Sequence, residues 1–356
     1  MGKLTKARVA VILFVVLCVL PFPVWTLCGG SASVELENRK IAPLPKLRAD
    51  TIRTFPKEFE RYYNDRLPFR SDLIWANSML DYAVFRTPSN AEIVLGNDGW
   101  LFYRTCVSQY LGHDLLSDAQ LEQIARNMRA VKAYCDRRGI SFTLFVAPNK
   151  ERTHSDSIPV SYGRKAEYGR FEQVIDYIER NTDVPVIQPE AVLEEWRATH
   201  PEPVGYLADT HWNSLGGHIG ASVLLEALGK EVPQSKRIDV TEPSYHDLAN
   251  MLHLERSIEL GKDYVPVFEE AAIPTQNDFA THVTYENPNG VGRILVRRDS
   301  FCTAMHRTLS QPWAHYDAVK DGIFEWSMVE EQKPDVFVIE IVERELHTLA
   351  EMEVPQ

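Results

Sequence analysis

Residues 118–148 read DAQLEQIARNMRAVKAYCDRRGISFTLFVAP, and two periodicities follow one another within them. In the first part, apolar side chains recur every three or four positions, at Leu121, Ile124, Met128 and Val131. This spacing predicts an amphipathic helix that begins at Asp118 and stops at Gly139. The short, mainly apolar run 140–147, which Pro148 ends, predicts a buried strand. A helix that leads into a buried strand is the repeating unit of an α/β fold.

The same alternation of helix and strand extends in both directions from this segment. Further helices are predicted around Phe171–Ile178 and over Pro189–Thr199. Further strands are predicted at Trp100–Tyr103, Val184–Ile187, Arg293–Arg297 and Asp335–Val342. Continuous apolar strands separated by helices predict a parallel sheet with helices on both faces, so the predicted fold class is α/β.

The N-terminus predicts a segment that leaves the cytoplasm. A basic start is followed by the uncharged stretch Val9–Cys28, which matches the roughly 20 residues of a bilayer-spanning helix. We favour a membrane anchor with the bulk of the chain outside the cytoplasm. A cleaved signal peptide that ends near Ala32 is the alternative, because Pro21 and Pro23 shorten the apolar core.

The chain is predicted to contain one main domain behind this segment. Residues 1–30 form the anchor or signal segment, residues 31–54 form a proline-containing tether, and residues 55–350 form the domain. Within that domain, residues 231–290 show weak periodicity. They are predicted to form an insertion of loops and short helices.

The overall charge limits the classes of ligand. The formal net charge of −12 argues against nucleic acid, because proteins that bind polyanions present basic surfaces. An anionic substrate stays open, since neighbouring cations such as Arg297 and Arg298 dominate at close range.

The five cysteines are compatible with an oxidising compartment. Cys18 and Cys28 lie in or beside the apolar segment, which leaves Cys106, Cys135 and Cys302 in the domain. We expect one disulfide among these three and leave its pairing open. The sequence contains no CxxC pair and no HExxH motif, so neither a metal nor another cofactor is expected.

One group of polar residues that can support chemistry is Asp209-Thr210-His211-Trp212-Asn213. In an extended segment, residues two apart project to the same side, so Asp209 can orient the His211 imidazole. Asn213 or Ser214 then begins a helix. From this spacing alone, a catalytic pair and a pair that only bonds the backbone at a turn both stay open.

A second group stands at the end of a predicted strand. The run Ile294–Val296 leads into Arg298-Asp299-Ser300-Phe301. Ligands of open α/β sheets bind at the carboxyl ends of strands, so Ser300 is placed where a nucleophile would be displayed. A serine nucleophile needs a base, which His211 can supply, and the Ser300 backbone N–H can help to bind an oxyanion. The alternative is that Asp299 and Ser300 only cap the following helix.

A third group, Asn149 and Lys150, follows the strand that ends at Ala147. These side chains can offer an amide or a cation to the same cleft, or they can lie in solvent. His218, seven residues after His211, is interpreted as an ordinary helix residue and not as a metal ligand.

Several motifs occur together in one order along the chain. They are Asn64-Asp65-Arg66-Leu67-Pro68-Phe69-Arg70, Gly96-Asn97-Asp98-Gly99-Trp100-Leu101-Phe102-Tyr103, Asp209-Thr210-His211-Trp212-Asn213, Asp247-Leu248-Ala249, Arg298-Asp299-Ser300-Phe301 and Val342-Glu343-Arg344. In this combination the chain resembles the SGNH hydrolase-like acetyltransferases of the alginate O-acetylation type, also called the DHHW family. The resemblance spans about residues 55–345, and the joint occurrence is far more specific than any single motif.

The resemblance implies a flavodoxin-like SGNH fold with a permuted motif order, in which the Asp-x-His motif precedes the serine motif. The catalytic residues of the family fall on Asp209, His211 and Ser300. Members acetylate exopolysaccharide in the periplasm, commonly with a membrane-bound O-acyltransferase that delivers the acetyl group, so an inner-membrane anchor with a periplasmic domain is implied. Arg298 stands where many relatives have glycine; it joins Asn149 and Lys150 as a candidate for substrate binding.

Three functions from different classes therefore stay open. The leading hypothesis is an extracytoplasmic O-acetyltransferase that modifies an alginate-like exopolysaccharide through an acetyl-serine intermediate. A carbohydrate acetylesterase with the same Ser-His-Asp triad is the second, since only the exclusion of water separates the two reactions. A non-catalytic polysaccharide-binding assembly subunit is the third. The sequence does not identify the polymer.

Overall fold

A computed structural model describes residues 6–19, 23, 27, 42–48, 50–65, 69–278 and 280–355. The chain divides into two compact units, Met1–Ser89 and Asn90–Gln356. The described residues of the first unit include the helices Lys6–Val19, Phe55–Asp65 and Arg70–Leu80, the last of which continues into the π-helical turn Asp81–Phe85.

The predicted anchor falls only partly on described residues. Its first part lies in the helix Lys6–Val19, whereas Cys28 and the alternative cleavage site near Ala32 lie outside the described residues. Within the part of the chain that the structure describes, no helix combines the length and the apolar character needed to cross a bilayer. The anchor stays a prediction, as does the domain boundary at residue 55.

The described residues of the second unit form eleven strands. In chain order they are β1 (Ile93–Leu95), β2 (Leu101–Tyr103), β3 (Ser141–Ala147), β4 (Val186–Ile187), β5 (Arg237–Thr241), β6 (Asp263–Val267), β7 (Ile273–Asp278), β8 (His282–Glu286), β9 (Arg293–Arg298), β10 (His315–Lys320) and β11 (Val336–Val342). Seven of them form one sheet in the order β4-β3-β11-β9-β10-β8-β7. The strands β1 with β2 and β5 with β6 form two separate antiparallel pairs.

The helices of this unit connect the strands of the main sheet. Their bounds are Arg104–Tyr110, Asp118–Asp136, Lys150–Thr153, Arg170–Asn181, Glu190–Thr199, Ser214–Ala227, Asp247–Met251, His306–Leu309 and Ser327–Gln332. The helix Asp118–Asp136 begins at a capping box, in which the Ser117 hydroxyl accepts from the Gln120 amide and the Gln120 side chain accepts from the Ser117 amide. It ends before Gly139, as the sequence predicts.

Two apolar cores cover the two faces of the main sheet. One packs the helices Asp118–Asp136 and Arg170–Asn181 against side chains such as Leu144 and Leu295. The other packs the helix Ser214–Ala227 against side chains such as Phe145. Neighbouring residues along β3 therefore face opposite cores, which explains why the sequence of this strand is mainly apolar and does not alternate with polar residues. The predicted α/β fold with helices on both faces is confirmed.

The sheet is mostly parallel, as predicted, but it differs from the sequence prediction in two details. The five strands from β4 to β10 are parallel, but β8 and β7 extend the sheet with antiparallel pairing. These two strands, together with β5 and β6, lie within residues 231–290, where loops and short helices were expected. The reason is that strands near an edge, such as β5 and β7, are largely exposed and carry polar residues, so they lack the apolar run of a central strand.

The expected disulfide is absent. Cys106, Cys135 and Cys302 are buried free thiols. Cys135 belongs to the core on one face of the sheet and Cys302 to the core on the other, so the sheet separates them. Burial raises the pKa of Cys135 to about 12, which keeps this thiol protonated and unreactive at neutral pH.

Candidate active site

Three of the predicted side chains meet at the carboxyl end of the main sheet. The Ser300 hydroxyl lies 2.8 Å from Nε2 of His211, and Nδ1 of His211 lies 2.7 Å from a carboxylate oxygen of Asp209. With the ring proton on Nδ1, the imidazole donates to Asp209 and its Nε2 accepts from Ser300. The convergence of these side chains agrees with the sequence; their catalytic roles stay a prediction.

Ser300 lies on a turn that is hydrogen-bonded to the end of the neighbouring strand β11. β9 ends at Arg298, and the next residue, Asp299, accepts hydrogen bonds from the backbone amides of Phe301 at 2.7 Å and Val342 at 2.6 Å. The second bond ties the turn to the end of β11. Burial raises the pKa of Asp299. Ser300 itself is exposed, so its hydroxyl is open to a substrate.

Asp209 and His211 lie in a closed loop and not on a strand. Gly205 and Trp212 form an isolated antiparallel bridge, and the residues between them turn back on themselves. Asp209 accepts from the backbone amide of His211 at 2.9 Å as well as from its ring. The loop 205–212 therefore orients the imidazole through two hydrogen bonds to one carboxylate.

Asp247 supports this loop, and its role was not predicted. Its carboxylate accepts from the Thr210 amide at 2.8 Å and from the Thr210 hydroxyl at 2.6 Å, while its own amide donates to Asp209 at 2.7 Å. Burial and then the charge of Asp209 raise the pKa of Asp247. The only sequence signal was the motif that begins at Asp247 in the family resemblance, which carried no assigned role.

The charge of Asp209 is stabilised although its side chain is buried. Burial opposes ionisation, but the hydrogen bond and positive charge of His211, with the amides of Asp247 and His211, outweigh it and lower the pKa of Asp209. Asp209 is therefore a carboxylate at neutral pH. An ionised carboxylate is what holds an imidazole in one tautomer and stabilises it when it gains a proton.

The helix Ser214–Ala227 packs closely against the segment after Ser300. It begins at Asn213, whose side chain accepts from the Gly216 amide at 2.9 Å. A Cβ placed on Gly217 would lie 2.4 Å from the Cβ of Ala304, so only glycine allows this approach. The Trp212 indole donates to the Phe301 carbonyl at 2.8 Å and links the loop 205–212 to the same segment.

Lys150 and Asn149 lie behind the site and do not face a substrate. Lys150 is 3% exposed, and its ammonium group donates to the backbone carbonyls of Leu101, Tyr206 and Asp209. Asn149 is 1% exposed, and its side chain donates to Gln109. The expectation that they contact substrate is not supported, because burial leaves no surface for a polysaccharide. We assign Lys150 to the support of the loop 205–212.

Arg298 is also buried, at 1% exposure, so the same correction applies to it. One guanidinium nitrogen donates to the Asp299 carbonyl at 3.2 Å. Arg298 therefore acts beneath the turn that displays Ser300, in the position where many relatives are expected to have glycine.

The metal-binding potential of the described residues is confined to the site itself. Ligand atoms of Asp209, His211 and Asp247 all lie within 4.8 Å of one another. These residues already form hydrogen bonds with each other and with Thr210. This favours a hydrogen-bond network over a metal site. His218 lies elsewhere, where Nδ1 pairs with the Thr308 hydroxyl at 2.9 Å and burial lowers its pKa to about 4.

Comparison with known proteins identifies the family. Residues 93–285 match the family described as "SGNH hydrolase-like domain, acetyltransferase AlgX". This match covers more than half of the chain. The chain belongs to the AlgX family. The predicted resemblance is therefore confirmed. The matched region of this AlgX-family chain contains Asp209, His211 and Asp247 but ends before Ser300, so the nucleophile assignment rests on the geometry.

Relatives of this AlgX-family chain include two probable alginate O-acetylases named AlgJ. The chain is 27% identical over 190 residues to AlgJ of Pseudomonas aeruginosa, covering 52% of this chain and 44% of that protein. It is 23% identical over 209 residues to AlgJ of Pseudomonas putida, covering 56% of this chain and 51% of that protein. The chain thus spans about half the length of these curated relatives.

Solved structures share the fold of this AlgX-family chain at low sequence identity. Bacillus cereus PatB1 with a sulfonyl adduct has a TM-score of 0.51 at 14% identity, covering 71% of this chain and 97% of that chain. A DHHW family protein from Eubacterium siraeum has a TM-score of 0.52 at 12% identity, covering 74% of this chain and 99% of that chain. At this identity the likeness establishes the fold alone.

Proposed function

We propose that this protein is an extracytoplasmic O-acetyltransferase that acetylates hydroxyl groups of an exopolysaccharide, with Ser300 as the nucleophile. The observation that carries the proposal is the 2.8 Å contact between Ser300 and His211, oriented by Asp209 at 2.7 Å. Membership of the AlgX family and the AlgJ relatives support acetyl transfer as the reaction. An alginate-like polymer is the first candidate substrate, because the relatives are named for alginate.

The first half of the reaction loads the enzyme. As the Ser300 oxygen attacks the carbonyl carbon of an acetyl donor, its proton moves to Nε2 of His211. The bond between the acetyl group and the donor oxygen then breaks, and His211 returns the proton to that oxygen. Acetyl-Ser300 and the free donor alcohol result. The ionised Asp209 stabilises the imidazolium that exists between the two proton transfers.

The second half transfers the acetyl group to the polysaccharide. A sugar hydroxyl gives its proton to His211 and attacks the acetyl-Ser300 carbonyl. The ester bond to Ser300 breaks, and His211 returns the proton to the serine oxygen. In both halves a negative oxygen forms on the acetyl carbonyl. The Ser300 backbone N–H suits this oxygen, because it makes no hydrogen bond within the described part of the chain.

The proposed partners follow from this chemistry and from the N-terminal segment. The donor is proposed to be a membrane-bound O-acyltransferase that presents acetyl outside the cytoplasm, and the polysaccharide is the acceptor. The chain needs no further cofactor for these steps, since proton transfer and nucleophilic attack use only its own side chains.

The test is a transfer assay with the purified protein, an activated acetyl ester and alginate oligosaccharides. We expect acetylated oligosaccharide to accumulate at a rate well above that with heat-inactivated protein, because the sugar hydroxyl and His211 meet at an open site. Mass spectrometry of the sugar and titration of released acetate measure the two products separately. A parallel assay with neutral oligosaccharides shows whether acetyl transfer requires alginate as the acceptor.

The exposure of Ser300 favours one competing function, a carbohydrate acetylesterase, because water reaches the same acetyl-serine. Acetate release with no acetylated sugar in any arm would move the assignment to this esterase. Failure of both reactions by a folded protein would instead favour a non-catalytic assembly subunit.

We further expect the protein to be held in the cytoplasmic membrane by the segment Val9–Cys28, because an apolar stretch of about 20 residues after a basic start is retained by a bilayer. The measurement is fractionation of producing cells, in which the protein should stay with membranes after an alkaline carbonate wash. Recovery of a soluble extracytoplasmic protein that begins near Ser33 would contradict the anchor and favour a cleaved signal peptide.

A further inference from the structure

A large open groove of about 840 Å³ lies beside the turn that displays Ser300. We call it the acidic groove. It is lined by residues at the ends of β9 and β11 and by the segments 321–327 and 345–353. Asp299, the residue that precedes Ser300, forms part of its wall. The acidic groove thus reaches the back of the nucleophile turn without including the Ser300 hydroxyl.

The lining carries a strong excess of negative charge. Its carboxylate residues are Asp299, Asp321, Glu325, Glu340, Glu345, Glu351 and Glu353. Arg297 is the single cationic residue of the lining, and its guanidinium is paired with Asp321. No ion pair involves Glu325, Glu345, Glu351 or Glu353 within the described part of the chain. The rim charges therefore face the space of the groove uncompensated.

One carboxyl oxygen in the lining of the groove lacks a hydrogen-bond partner. Glu340 is 3% exposed; one of its oxygens accepts from the Asp299 amide at 3.0 Å, whereas Oε1 is buried without a partner. Burial and then the charge of Asp299 raise the pKa of Glu340, and Arg298 offsets this only in part. An unpaired buried carboxylate oxygen costs stability, so a bound donor that reaches it would gain free energy.

The floor of the groove is apolar. It contains the aliphatic side chains Ile339, Ile341, Leu349 and Met352. The aromatic rings of Phe324 and Trp326 also line it, but they lie 5.3 Å apart in an edge-on contact, and both pack against Phe337. Aliphatic surface suits aliphatic side chains, whereas sugars bind to open aromatic faces. A polyuronate such as alginate would be repelled by the rim.

We propose that the acidic groove is a docking site for a basic, partly apolar peptide segment of a protein partner. Lys or Arg side chains of that segment pair with the rim carboxylates and enter the groove toward Glu340, and apolar side chains cover the floor. The proposal is independent of the reaction at Ser300. It commits to a peptide because the groove combines uncompensated negative charge with aliphatic surface.

The test is isothermal titration of the full-length protein with a capped nine-residue peptide that repeats Leu-Lys-Ala. We expect saturable binding at least about tenfold tighter than that of the matched Leu-Glu-Ala peptide, a difference of about 1.4 kcal/mol. Added salt should weaken the binding, because exposed charge pairs are screened. A Leu-Gln-Ala peptide separates the contribution of the apolar side chains from that of the charges.

Two variants locate the binding. Combining Glu345→Gln, Glu351→Gln and Glu353→Gln should weaken the binding of the basic peptide about tenfold, because it removes three of the charges that pair with the lysines. Glu340→Gln should also weaken the binding of the basic peptide. The triple change, which we call the rim variant, still tests the proposal if the buried Glu340→Gln change impairs folding. Glu179→Gln, which alters an exposed carboxylate outside the groove, is the control and should bind as the wild type does.

Several results would overturn the proposal. They are the absence of saturable binding of the basic peptide, equal affinity for the acidic peptide, and wild-type affinity in the rim variant. An oligomer of glucosamine, which is cationic but rich in hydroxyl groups, tests the other ligand class. If it bound more tightly than the peptide and lost affinity in the rim variant, the acidic groove would be a carbohydrate site.

Discussion

The Ser300→Ala protein is expected to lose acetyl transfer by about 10³-fold or more while it keeps its fold. The Ser300 hydroxyl is hydrogen-bonded to Nε2 of His211 at 2.8 Å, whereas the Thr210 hydroxyl lies 3.4 Å from Nδ1, the nitrogen that faces Asp209. Catalytic triads lose activity on this scale when the nucleophile is removed. Because Ser300 is exposed, the change removes little packing, and the melting temperature should move by no more than about 2 °C.

His211→Ala supplies the matched comparison for this prediction. It should be about as damaging as Ser300→Ala, and the double variant should be scarcely worse than either single one, because nucleophile and base act as a unit. The readouts are transfer rate and thermal melting for all three proteins. Wild-type-like transfer by a well-folded Ser300→Ala protein would refute covalent serine catalysis. It would favour a mechanism in which the sugar hydroxyl attacks the acetyl donor directly.

Lys150→Met is expected to give the largest loss of stability. The methionine keeps the length of the side chain but leaves the carbonyls of Leu101, Tyr206 and Asp209 without their buried donor. Unsatisfied buried acceptors cost about 1–3 kcal/mol each, and relief from burying a charge offsets part of this, so a net loss of about 3 kcal/mol is expected. The melting temperature should fall by roughly 6–12 °C.

The measurement is best made at pH 7. Burial lowers the pKa of Lys150 to about 8, so the ammonium form still predominates there. Lys165→Met is the control, because Lys165 pairs with Glu190 at a partly exposed position and should contribute under about 1 kcal/mol. The Lys150 variant should also transfer acetyl more slowly, since Asp209 loses a support. A melting temperature within about 2 °C of the wild type would show that the loop 205–212 holds without Lys150.

The central strands could be predicted from the sequence because burial on both faces favours short apolar runs, such as Ile294–Val296 in β9 and Val336–Ile339 in β11. The strand β10 could not be predicted in this way. Its sequence includes His315, Asp317 and Lys320, which break that pattern. Asp317 is nevertheless 2% exposed, because His282 on the neighbouring strand lies 2.6 Å from its carboxylate. A partner 35 residues away makes this burial possible, and local sequence does not display it.

The reacting groups of the site could also be anticipated, since a serine at a strand end and an Asp-x-His motif are local patterns. The residues that hold these groups in place could not be anticipated. Asp247 holds a loop that lies 37 residues earlier in the chain, and Lys150 reaches carbonyls up to 59 residues away. Lys150 was mistaken for a substrate contact because its position after a strand end suits both roles. Only the tertiary fold determines whether such a side chain points into the cleft or beneath it.

The place of β11 in the sheet has a consequence for biosynthesis. This strand follows the other described strands of the sheet in chain order, yet it lies inside the sheet, between β3 and β9. While the ribosome is still adding residues before Val336, the sheet consists of two halves with no strand to join them. The turn that displays Ser300 also lacks the Val342 amide to which it is fastened. The turn that displays Ser300 is therefore expected to take its final conformation only after β11 has paired with β9, because that pairing brings the Val342 amide to Asp299.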